Sequence, residues 1–144
     1  MTLLDGRVRP PSTAFSKSPK RGPRERKENP RFLAWLRTLP CIVTHTRVNI
    51  QAAHIRYSDA ASGKINPGIQ RKPDDRYALP LCFEMHQGDP RNSQHSMNER
   101  AFWGLRRIDP IKAADKLWAI FNDKSLSQIE RDEAGEKVIR EAQL

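Results

Sequence analysis

Apolar residues recur at helical spacing in several stretches of the chain. Phe32, Leu33, Leu36 and Leu39 form the first stripe, preceded by Asn29-Pro30 and ended by Pro40. An N-cap residue followed by proline at the first helical position opens a helix there. Met97, Ala101, Leu105 and Ile108 share a second helical face. Asp109-Pro110 caps a third helix, with a stripe of Ile111, Ala114, Leu117, Trp118 and Phe121. Ser127-Gln-Ile-Glu130 has capping-box spacing and opens a highly charged last helix. Between Cys41 and Leu81 the period falls to two. Ile50, Ala52 and His54 alternate with Asn49, Gln51 and Ala53, which predicts a strand, and Tyr77–Leu81 predicts a second. The polar stretch Tyr57–Arg71 reads as a long loop, uncommon unless it has a function. Phe102, Trp103, Trp118 and Phe121 are expected in the core rather than as a base-stacking platform. The pattern is that of an α+β protein.

Composition narrows the class. The 144 residues suit one domain with tails, and at 37% hydrophobic any core is small. No apolar run approaches the ~18 residues of a membrane span, and the start lacks the pattern of a secretory signal, so a cytoplasmic protein without a membrane partner is expected. Two cysteines are too few for a secreted disulfide scaffold. Twenty-six Lys+Arg against 17 Asp+Glu leave a net charge of +9, which favours a polyanion such as nucleic acid. Residues 1–29 are rich in Lys, Arg and Pro and poor in large apolar side chains, and are expected to be a disordered basic arm. Residues 30–122 would form the domain and 123–144 a charged C-terminal helix.

All four histidines (His45, His54, His86 and His95) lie between positions 45 and 95, and Cys41 and Cys82 lie in almost the same window. Imidazole and thiolate are the usual ligands of zinc and other transition metals. Cys41-x3-His45 and Cys82-x3-His86 differ from the Cys-x2-Cys spacing common in zinc knuckles, so spacing alone is a weak signal. The order of residues says more. Ala53-His54-Ile55 is followed by Lys72-x2-Asp75-x4-Pro80-Leu81-Cys82, then His86, then Arg100-Ala-Phe-Trp103 and Ile108-Asp109-Pro110. Over residues 30–121 this combination resembles the HNH, or His-Me finger, endonucleases, and most of all their phage-associated Ref-like branch of recombination nucleases.

The resemblance implies a ββα-metal core with flanking helices and metal-dependent hydrolysis of DNA in phage recombination or DNA processing. The setting would be a phage- or prophage-encoded protein in a bacterial cell, with a recombinase filament as a further candidate partner. It assigns His54 as general base and Asp75 as the carboxylate fixing the loop and the base's tautomer, roles those residue types can support. His86 and His95 would hold one divalent ion (Mg, Mn, Zn or Ni). Imidazole ligands favour the transition metals over Mg. Arg56, Lys64, Arg71, Lys72 and Arg76 are candidate DNA contacts that would position phosphates without reading bases.

Three departures from the family pattern stand out. Ala53 cannot ligate where many relatives have Asp or His. The insert Gln87–Asn92 interrupts the helix that would carry both ligands. Thr44 and Met85 replace the second ligand of each zinc-knuckle half, so Cys41, Cys82 and His45 make at most three ligands, and two reduced thiols are expected in place of a structural zinc. The alternative is a catalytically inactive nucleic-acid-binding protein on the same fold.

Overall fold

The computed structural model describes residues 26–64 and 73–143. Helix α1, Pro30–Leu36, begins where Asn29 accepts the Phe32 amide on its side chain, 3.1 Å away. Strands β1, Ile50–His54, and β2, Ala78–Cys82, form a two-stranded antiparallel sheet with Ile50 opposite Cys82 and His54 opposite Ala78. Pro80, opposite Ala52, is tolerated within β2 because its backbone nitrogen and carbonyl point away from β1; the carbonyl accepts the Ile42 amide at 2.9 Å, so the missing N–H costs no ladder bond. A 3-10 turn, Ala60–Ser62, follows β1, and a single π-helical turn, Glu84–Gly88, follows β2. Helices α2, Glu99–Leu105, α3, Pro110–Asn122, and α4, Gln128–Glu141, complete the order. Asp109 and Ser127 cap α3 and α4 through the amides of Lys112 and Glu130.

The alternating β1 pattern and the apolar run at Tyr77–Leu81 thus form the only sheet among the described residues. Every residue of β2 is buried. Leu79 and Leu81 join Phe32, Leu36, Ile42, Ile55, Trp103 and Leu117 in one core. Phe32 meets Trp118 edge-on at 5.0 Å between ring centroids and Phe121 at 5.3 Å. The charged α4 closes this core with Ile139 and with Asp132, which accepts the Trp35 indole N–H at 2.9 Å.

The second expected helical face is corrected. Ala101 and Leu105 are exposed, Leu105 by 76%, and Phe102 and Trp103 are buried instead. Aromatic side chains bury the most apolar area per residue, so α2 turns toward them. The chain then leaves the helix through Arg107 at φ 55°, which takes Ile108 off the helical register. The expected arm boundary is also corrected, because Arg26–Asn29 is bonded to Pro73–Asp75. Residues 1–25 lie outside the described residues, as does the end of the long loop with Arg71 and Lys72. Among the described residues no helix is long and apolar enough to cross a membrane.

Candidate functional site

His54 is the last residue of β1, and its ladder partner Ala78 follows the loop that carries Asp75. The sheet therefore brings imidazole and carboxylate together, with His54 Nε2 2.8 Å from Asp75 Oδ1. Asp75 is 2% exposed and His54 14%. The other carboxylate oxygen, Oδ2, accepts the Asn29 amide at 2.8 Å, and Arg26 Nη2 also donates to Oδ1. Burial pushes the Asp75 carboxyl up, but the hydrogen bonds from His54, the Asn29 amide and Arg26 outweigh it and hold the group below its ordinary value. An ionised carboxylate only accepts, so His54 Nε2 carries a hydrogen, and in the neutral ring Nδ1 then holds the lone pair.

His86 lies on the π turn and His95 in the irregular connection before α2. No single helix carries both. They meet because the insert is a loop closed at its base, where Gln94 N donates to the Met85 carbonyl at 2.8 Å and His95 N to the His86 carbonyl at 3.1 Å. Asp89 caps the loop from within by accepting the Arg91 and Asn92 amides. The two imidazole rings stand 4.5 Å apart between centroids and nearly perpendicular. Buried Gln94 ties this segment to the end of β1 by donating to the His54 carbonyl at 2.9 Å and to Glu99 at 2.8 Å.

His86 Nδ1 lies 2.6 Å from Gln51 Oε1, an acceptor, so Nδ1 bears the hydrogen and Nε2 the lone pair. Burial, then the neighbouring His95, Arg56 and His54, bring the His86 pKa down to about 4. Burial and Arg56 lower His95 as well. Both imidazoles are therefore neutral at pH 7, the form that ligates a metal, and a hydrogen-bonded second nitrogen is the usual support of a ligating histidine. Among the described residues no three His, Cys, Asp or Glu side chains form a group that could hold an ion by themselves. An ion on His86 and His95 would thus take its remaining ligands from water and phosphate, and the donor set fits one on those terms.

The remaining candidates fall in different places. Arg56 is exposed, and its charge reaches both His86 and His95. Lys64 is corrected as a DNA contact: it is 1% exposed, donates to the Tyr57 carbonyl and lies 5.3 Å from the Tyr77 ring centroid. Burial lowers its pKa. Arg76 is bonded to Asp115 of α3 at 3.0 Å and stacks near Tyr77. Cys41 and Cys82 are buried free thiols, linked through Thr44, whose amide donates to Cys41 Sγ at 3.4 Å and whose hydroxyl donates to Cys82 Sγ at 3.7 Å. Burial raises the Cys41 thiol, and hydrogen bonds from Thr44 and from the amides of Val43, Thr44 and Cys82 bring it below its ordinary value. His45, at φ 61°, is exposed in the turn after Cys41.

Two site residues escaped the sequence reading. Arg26 was hidden inside the basic arm, where nothing distinguishes it from its neighbours. Gln51 was hidden as well: it alternates with His54 along β1, so the strand pattern places it with the other set of residues and gives no sign of its imidazole partner. Comparison of the chain with protein-family models, with curated proteins and with solved structures finds no match.

Proposed function

We propose that this protein is a metal-dependent endonuclease of the HNH type that hydrolyses phosphodiester bonds of DNA. The observation that carries the reading is the pairing of His54 with a buried, ionised Asp75 on one strand end, close to two touching neutral imidazoles, His86 and His95. On this reading His54 Nδ1 takes a proton from water as the water oxygen bonds to phosphorus. The bond from phosphorus to the 3′ oxygen breaks, and that oxygen takes up a proton from solvent, leaving a 3′ hydroxyl and a 5′ phosphate. Asp75 keeps the ring oriented and its other nitrogen protonated. Arg56 adds positive potential where a phosphate would lie. A divalent ion on His86 and His95 would supply charge stabilisation at the scissile phosphate. The resemblance points to phage recombination or DNA processing as the setting.

A binding-only reading has one observation in its favour. Ala53, beside the base, cannot ligate, which leaves two imidazoles as the protein's share of the metal site. Plasmid incubated with the protein and Mn²⁺, Mg²⁺, Zn²⁺ or Ni²⁺ separates the two. Nicking by the wild type that is lost in His54→Ala supports hydrolysis. Equal nicking by both forms implicates a contaminating nuclease and overturns His54 as the base, and no nicking with any metal overturns hydrolysis in favour of the binder.

A further inference from the structure

We propose that Arg26 is a positioning residue of this site, locking Asp75, and through it the His54 ring, in the orientation and tautomer that catalysis requires. The inference rests on the nuclease reading of the same site and adds to it a residue from the segment before α1.

The guanidinium is fastened on several sides. Its Nε donates to the Pro73 carbonyl at 3.2 Å, its Nη1 to Glu28 at 3.3 Å and its Nη2 to Asp75 Oδ1. The backbone around it repeats the attachment: Asp75 N donates to the Lys27 carbonyl at 3.0 Å, Lys27 N to Asp74 Oδ1 at 3.0 Å, and Asn29 N to Asp75 Oδ2. Residues 26–29 thus form a strap across the loop that presents the carboxylate. A rigid planar fork suits this task, since it holds an oxygen in place as well as neutralising it.

Arg26 Nη2 is also 3.5 Å from His54 Nε2, against 2.8 Å from that nitrogen to Asp75. The shorter contact decides the proton's place. Were Nε2 the lone-pair nitrogen, it would face the carboxylate lone pairs at 2.8 Å. With the proton on Nε2, Asp75 Oδ1 accepts from ring and guanidinium at once. Removing the guanidinium takes away the donor to Asp75 Oδ1 and the tie to the Pro73 carbonyl, leaving Oδ2 on the Asn29 amide as the carboxylate's remaining anchor, so Oδ1 holds the ring less firmly. Exposed arginines of a DNA-binding arm act differently, through affinity alone.

The test uses the full chain. Long-range nitrogen–proton NMR correlations of the His54 ring, recorded without metal or DNA, report its tautomer directly. The wild type should show hydrogen on Nε2. Arg26→Ala should give a mixture of tautomers, and Arg26→Lys, which keeps the charge without the fork, should restore the wild-type signal only in part. In plasmid cleavage, Arg26→Ala should lower kcat about 10- to 100-fold, the effect of a misplaced catalytic group, with KM unchanged. A thermal melt checks folding, and Arg26→Gln serves if the alanine variant does not fold. An unchanged tautomer in the Arg26 variants, or a loss confined to KM, overturns the proposal. If the wild type cuts no DNA but the tautomer responds to Arg26, the positioning role stands and the nuclease reading falls.

Discussion

His86 combines a strongly lowered imidazole pKa with a hydrogen bond that orients it. Its folded value of about 4 lies below the ordinary 6.5 because burial disfavours the charged ring. Between these values the unfolded chain binds a proton that the folded chain does not, so acid favours unfolding there. The metal-free protein should therefore lose stability as pH falls from 6.5 toward 4. Thermal melts across that window check the direction, and His86→Asn should flatten the dependence. An NMR titration in which the His86 ring protonates near its ordinary value would contradict the burial argument. Gln51 gives a second prediction at this scale. Gln51→Leu removes the acceptor from His86 Nδ1 and should weaken Zn²⁺ or Mn²⁺ binding about 10- to 100-fold, read by calorimetry, with little change in the melt. The alternation along β1 placed His54 correctly, yet residue type alone does not reveal that Gln51 faces an imidazole 35 positions later.

At the scale of elements, helix starts were legible and helix orientations less so. Asn29, Asp109 and Ser127 each cap a helix by accepting an amide three residues ahead, an interaction complete within its own stretch of chain. The face α2 buries is set instead by Phe102 and Trp103 competing for the core. Helix α4 offers a direct test of packing against propensity. Gly135 lies in its interior, and a Cβ there would sit 2.8 Å from Trp35 Cζ2 and 3.2 Å from Leu39 Cδ2. Alanine would gain about 1 kcal/mol of helix propensity. The indole cannot retreat freely, because it is buried and bonded to Asp132, and overpacking costs about 1–3 kcal/mol. Gly135→Ala should therefore lower the melting temperature by a few degrees; a rise would show that Trp35 yields at little cost.

For the whole molecule, the proposed function together with a charge of +9 predicts salt-sensitive binding to DNA, to which the charges should not contribute alike. Arg56→Ala should reduce the slope of log affinity against log salt by about 1. Lys64→Ala should leave that slope unchanged and instead lower the melting temperature, because its ammonium is buried against Tyr57 and Tyr77. Equal salt slopes for Arg56→Ala and wild type would remove Arg56 from the DNA surface. The sequence by itself determined the α+β class, where the elements start, the excess of positive charge and the small set of His, Cys and Asp residues able to do chemistry. Each of these depends on composition or on neighbours a few residues apart. Only the tertiary structure decided that Arg26 reaches Asp75 across 49 positions, that the loop after His86 closes to bring His95 beside it, and that Lys64 points inward. Those outcomes follow from which distant surfaces pack together and which polar groups must find partners once buried, and no local pattern encodes that choice.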